Sequence, residues 1–187
     1  MKMRSRLLDL LKLHSYRKRR VTLASGKESD FFIDCKQTVL TAEGHSLVGE
    51  LMFEALLPFE HCAAVAGVEL GGCPLASAVS MVSFLRGNPL DAIYVRKDAK
   101  DHGSQRLLEG NSRLSKGAHV AILEDVITTG GSTLKAARKI EEAGYVVGAV
   151  VALVDREEGG AQAIADAGYA LTTIFVRSEF EAALTPS

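Results

Sequence analysis

Residues 120–144, VAILEDVITTGGSTLKAARKIEEAG, decide the fold. An apolar run ends in two adjacent acids, Glu124 and Asp125. Next comes Thr128-Thr129-Gly130-Gly131-Ser132-Thr133, and then apolar positions at helical spacing as far as Gly144. The pattern predicts a buried strand, a tight turn and an amphipathic helix. Acids at the end of a core strand are costly unless something pairs with them. A turn of glycines and hydroxyls that opens a helix is suited to an anion, because backbone N–H groups and the helix dipole converge there. Together they point to a ligand with both hydroxyls and phosphate.

Outward from this unit the pattern repeats. CAAVAGV (62–68), DAIYV (91–95), VVGAVVALVD (146–155) and ALTTIFV (170–176) are short apolar runs. Helical patterns separate them at 72–86 and 159–167, and another at 43–57 stops before Pro58. Continuous apolar strands alternating with helices predict an α/β fold whose parallel sheet is covered on both faces. Sites in such sheets lie beyond the carboxyl ends of the strands, where the acids and the Thr/Gly turn fall. Toward the N-terminus, residues 4–13 show a leucine face at helical spacing. Arg17-Lys18-Arg19-Arg20 reads as a solvated face or turn, with phosphate binding second. VTLASGKESDFFIDCK reads as two short strands around Ser25-Gly26.

The 187 residues suit one sizeable core, hence a single domain over 1–187. With 47% hydrophobic residues, 24% charged and a net charge of −1, neither nucleic acid nor a membrane surface is expected as the main partner. Cys35, Cys62 and Cys73 lack CxxC spacing and read as free thiols in a reducing compartment, so the expected location is cytoplasmic. The basic N-terminus lacks an apolar stretch and a cleavage signal, and no run reaches membrane-spanning length.

Two common phosphate loops are excluded. GxxxxGK[ST] around Gly26-Lys27 requires Gly at 21, where Val21 stands, and GxGxxG is absent. Glu124 and Asp125 would repel a phosphate that faced them, but they can accept hydrogen bonds from neutral ribose hydroxyls. Strand alternation points them in different directions. The plain alternative is an ordinary strand-to-helix turn with Ser132 or Thr133 as N-cap.

The stretch 120–144 resembles the phosphoribosyl-pyrophosphate motif of type I phosphoribosyltransferases. The resemblance implies that Glu124 and Asp125 bind the ribose hydroxyls, while Val126, Ile127, Thr128, Thr129, Gly130, Gly131 and Ser132 cradle the 5′-phosphate. It also implies that family's fold: a central parallel sheet flanked by helices, with a small N-terminal hood formed mainly by about residues 1–40 plus the C-terminal tail.

A second element, YVRKDAKDHGSQRLLEG (94–110), gathers Arg96, Lys97, Lys100, His102 and Arg106 just past a strand. It reads as a polar mobile loop, which by itself need be no more than solvated charge. Beside a phosphate site, cations that reach departing pyrophosphate would stabilise the transition state selectively. His102 can donate a proton or only a hydrogen bond. The segment resembles the catalytic loop of orotate phosphoribosyltransferases, Arg-Lys-x-x-Lys-x-His-Gly, at every fixed place. That family closes the loop over a neighbouring subunit, so a homodimer with shared active sites is implied.

SGKESDFFIDCK resembles the same family's N-terminal segment. There Phe31 and Phe32 would flank the pyrimidine and Lys27 would approach the substrate anions, although both rings can equally be core. Arg156 matches the orotate-contacting arginine and Thr128 a threonine near the orotate carboxylate; Glu157 or Glu158 can instead occupy Arg156 in an ion pair. The loop 66–76 matches the pyrophosphate loop, but it carries Glu69-Leu70-Gly71-Gly72 in place of a lysine beside the glycine. Backbone N–H groups must serve there. The implied reaction joins orotate and phosphoribosyl pyrophosphate, with Mg2+ held mainly by substrate oxygens rather than by a protein cage, and Lys100, His102 and Asp125 catalytic. Rivals are a purine-base transferase and a regulatory protein that binds phosphoribosyl pyrophosphate.

Overall fold

The computed structural model describes residues 2–22, 28–59, 61–97 and 107–181. The chain opens with α1 (Lys2–Leu10), a π-helical turn (Leu11–Ser15) and a hairpin of β1 (Tyr16–Thr22) and β2 (Glu28–Ile33). A single turn, α2 (Lys36–Val39), leads to α3 (Ala42–Leu56), which Thr41 caps by accepting from the Gly44 N–H at 3.1 Å. Strands and helices then alternate through β3 (Cys62–Val68), α4 (Gly72–Leu85), β4 (Asp91–Val95), β5 (Leu108–Glu109) and β6 (His119–Ile127). They continue with α5 (Gly131–Glu142), β7 (Val146–Asp155), α6 (Gly160–Asp166), β8 (Leu171–Val176) and α7 (Arg177–Glu181).

The central sheet runs β5-β4-β3-β6-β7-β8. Its β4, β3, β6, β7 and β8 are parallel, as the apolar runs predict, while β5 pairs antiparallel with β4. Two residues are too few to show a period, so β5 is invisible in the sequence. Alternation along each strand serves two cores. Ala121, Leu123 and Val151 join Val48, Met52, Leu75 and Val79 of α3 and α4 on one face. Val120, Ile122 and Val150 meet Ala137 and Ile140 of α5 and Ile164 of α6 on the other. Each large buried side chain stabilises by roughly 1.5–3 kcal/mol, so the strand run in 120–123 is held from both sides.

The N-terminal reading needs one correction. The basic cluster is neither a turn nor a prelude to the first strand: it lies within β1, where Arg17 pairs with Phe32 and Lys18 with Phe31. Consecutive like charges conceal period-two alternation, which is why no strand is visible there in the sequence. Arg17 and Lys18 are nonetheless solvated. The hairpin forms its own two-stranded sheet. Aromatic contacts join it to the C-terminal end: Phe31 lies 5.0 Å from Tyr16 and 5.8 Å from Phe180, ring centre to ring centre, and Phe180 meets Phe175 edge-on. Among the described residues no helix is long and apolar enough to cross a membrane.

Candidate active site

Strand β6 carries Glu124 and Asp125 to the carboxyl edge of the sheet, and the pleat sends them to opposite faces. Glu124 turns toward α5, where its carboxyl accepts from Ser132 Oγ at 3.0 Å and Thr133 Oγ1 at 3.2 Å. Asp125 turns toward α4, and its Oδ1 accepts from the Val126 N–H at 2.9 Å. The Asp125 carboxylate rests directly against Gly71: a β-carbon at that residue would collide with all three carboxylate atoms. Glycine is required at 71 by this close approach, not by its backbone angles, since φ is −65°.

Burial, followed by the neighbouring charge of Asp125, pushes the Glu124 carboxyl up to about 8 against the opposing hydrogen bonds from Ser132 and Thr133. Burial raises Asp125 as well, opposed by the Val126 N–H and the Lys36 ammonium. Near neutral pH Glu124 therefore holds a proton, and the pair offers both an acceptor and a donor to a hydroxyl-bearing ligand. Nothing in the sequence singles out Lys36. Its place beside Asp125 depends on how α2 packs.

The turn after the acids differs from the plain alternative considered for it. Gly130 is the N-cap of α5, with φ +78°, and no side chain caps the helix. The Ser132 and Thr133 hydroxyls reach back to Glu124 instead. Left-handed φ at Gly130 is open to glycine at little cost, and it lets the turn present Thr129, Gly131 and Ser132 at the surface. Beneath it packs Gly160, the first residue of α6, where a β-carbon would lie 2.7 Å from Thr128 O. Sequence reading misses this support; the doublet Gly159-Gly160 is its one signal.

Arg96 and Lys97 continue the β4–β5 ribbon, with Arg96 N–H donating to Leu107 O at 2.9 Å. Together with Ser132, Lys135 and Lys139 of α5 they line a cleft of 350 Å³ at the carboxyl edge. Lys27, Lys100 and His102 lie outside the described residues.

On the other side of the loop, the Arg156 N–H donates to Ile127 O at 2.9 Å, which sets Arg156 beside Thr128. Arg156 is buried; its Nη2 donates to Phe31 O at 3.0 Å and pairs with Glu158 at 2.9 Å. The ion pair named as an alternative use of this arginine is thus present. A guanidinium has five donors and can serve several acceptors. The two phenylalanines separate. Phe31 is fully enclosed by Tyr16 and Phe180, with Arg156 and Arg177 over its ring, so it is core and presents no face to a base. Phe32, one residue on along the same strand, is half-buried.

The phosphoribosyl transferase domain profile matches residues 42–174. A protein from Sorangium cellulosum named orotate phosphoribosyltransferase is 66% identical over 177 residues, covering 95% of this chain and 92% of its own length. The chain belongs to the orotate phosphoribosyltransferase family. Its sheet and flanking helices are the type I phosphoribosyltransferase fold. A crystal structure of Mycobacterium tuberculosis orotate phosphoribosyltransferase in complex with Fe(III) dicitrate superposes with a TM-score of 0.82 at 35% identity, covering 95% of this chain and 98% of that one. The same enzyme in complex with 5-phospho-alpha-D-ribosyl 1-diphosphate gives 0.78 at 31%, covering 96% and 99%.

Proposed function

We propose that this chain transfers ribose 5-phosphate from phosphoribosyl pyrophosphate to orotate, giving orotidine 5′-monophosphate and pyrophosphate. The observation that carries this reading is the adjacency, at one sheet edge, of two buried neighbouring acids and a helix start capped by no side chain. A ribose 5-phosphate needs both. The phosphate sits on the turn 126–132, and the ribose hydroxyls sit on Glu124 and Asp125. Arg156 and Thr128 meet the orotate carboxylate, and Phe32 offers the ring a flat apolar contact.

As pyrophosphate leaves, the sugar gains positive charge at its anomeric carbon, which the negative acid pair stabilises. Arg96, Lys97, Lys27, Lys100 and His102 neutralise the departing anion. No covalent nucleophile is required; positioning and electrostatics do the catalysis. Magnesium fits as a companion of the substrate. The groups at this edge are oxygen donors, which suit a hard cation. When bound, it offsets pyrophosphate charge.

A homodimer completes the reading, with the 94–110 segment of each subunit serving its partner. It is supported by the outer face of α4, where Met81, Phe84 and Leu85 are exposed, the last two at 73%. The β1–β2 hairpin, with α7 against it, is the hood of a single-domain enzyme working in the cytoplasm.

The test is a steady-state assay with magnesium and phosphoribosyl pyrophosphate, offering orotate, uracil, hypoxanthine and adenine separately. Orotate alone should give nucleotide and pyrophosphate. Turnover only with another base would remove the roles given to Arg156 and Thr128.

A further inference from the structure

Lys139 lies two turns along α5 from the turn 128–133. Its ammonium is half-buried and donates to two consecutive backbone carbonyls, Arg96 O at 2.8 Å and Lys97 O at 2.7 Å. From the opposite side Glu69 Oε2, in the loop after β3, accepts from the Lys97 N–H at 2.9 Å. The Glu69 N–H in turn donates to Val95 O at 2.9 Å. Arg96 N–H is bonded to Leu107 O across the ribbon. The peptide groups at 96 and 97 are thus fixed by three separate elements: β5, the loop that precedes α4, and the helix that carries the phosphate turn.

Three of these bonds are to charged groups, the class that contributes most to holding a backbone in place. A lysine loses side-chain entropy by sitting between two carbonyls. The arrangement makes sense when the gain is placement of the cationic side chains of Arg96 and Lys97 themselves.

We infer that Lys139 and Glu69 are positioning residues that clamp the stem of the cationic segment onto the two loops that hold phosphoribosyl pyrophosphate. Neither touches the reacting atoms; they act through the backbone of Arg96 and Lys97. The inference rests on the reading of those two residues as pyrophosphate-binding groups.

The experiment compares wild type with Lys139→Met, Lys139→Arg and Glu69→Ala in the orotate assay, alone and in an Arg96→Ala/Lys97→Ala background. Lys139→Met should lower kcat/KM for phosphoribosyl pyrophosphate by about tenfold or more, the scale of a lost charged hydrogen bond, with the KM for orotate and Tm unchanged. Lys139→Arg, which keeps donors for both carbonyls, should recover most of the loss. In the Arg96→Ala/Lys97→Ala background the Lys139→Met effect should shrink toward nothing. Wild-type kinetics for Lys139→Met, or an undiminished loss in that background, would overturn the clamp. Should Lys139→Met fail to fold, Glu69→Ala decides alone: normal kinetics would overturn the inference, and a similar selective loss would uphold it. An inactive wild type would instead strike at the reaction assigned above.

Discussion

Replacing Gly71 by alanine should disable the enzyme through a carboxylate it never touches chemically. An alanine β-carbon would lie only 2.6 Å from Asp125 Oδ1, the most distant of the three carboxylate atoms it meets, whereas ordinary contact begins at 3.4 Å. The carboxylate must therefore retreat by more than 1 Å or rotate away, and a 1 Å misplacement already costs about 100-fold when it disturbs reacting geometry. The backbone tolerates alanine at this N-cap, since φ is an ordinary −65°, so the stability cost should be that of the clash alone, about 1–3 kcal/mol. Steady-state kinetics of Gly71→Ala, Asp125→Ala and the double variant isolate the cause. Gly71→Ala should lower kcat/KM for phosphoribosyl pyrophosphate by about 100-fold in the native background and have almost no effect once Asp125 is alanine. Equal losses in both backgrounds, or wild-type activity in the single variant, would refute the reasoning.

Glu124→Gln should change how stability depends on pH. The carboxyl is raised in the folded state from 4.5 to about 8, so the folded protein binds the extra proton, and wild-type stability falls as pH rises through that window. The wild-type Tm minus the Glu124→Gln Tm should decrease between pH 5 and pH 8; a constant difference would mean the buried acid is ionised throughout. Phe31→Ala should cost about 3–5 kcal/mol of stability, as for a buried aromatic, whereas Phe32→Ala should leave denaturant midpoints nearly unchanged and raise the KM for orotate. The reverse pattern would exchange their assigned roles. Lys100→Ala should lower kcat by about 100-fold, typical of losing one transition-state donor, with unaltered Tm; loss of Tm with normal turnover per folded molecule would contradict it.

Much of this protein is legible in order along the chain. The runs at 62–68, 91–95 and 146–155 are strands with those bounds, because a strand buried on both faces is apolar at every position and ends where polarity returns. Glu124-Asp125 and the Thr/Gly turn are adjacent in the sequence, and the structure keeps them together at the carboxyl edge of the sheet. Where charges or brevity hide the period, the reading weakens. The basic cluster inside β1 and the two-residue β5 have no pattern to show, and their pairing comes from partners elsewhere in the chain.

Contacts between residues distant in sequence were decided only by the tertiary structure. Sequence could name Phe31 and Phe32 as a pair, but which ring is core depends on Tyr16 and Phe180, 15 and 149 residues away. It could say that two acids differ in direction, but not that one shares hydrogen bonds with Ser132 and Thr133 while the other lies against Gly71. Nor does anything local mark Lys139 as the partner of the carbonyls at 96 and 97. Residue chemistry and period are properties of neighbours in the chain and survive in a one-dimensional reading. Burial, hydrogen bonding between distant residues and close approach are properties of neighbours in space, and they exist only once the sheet has brought its carboxyl edge together.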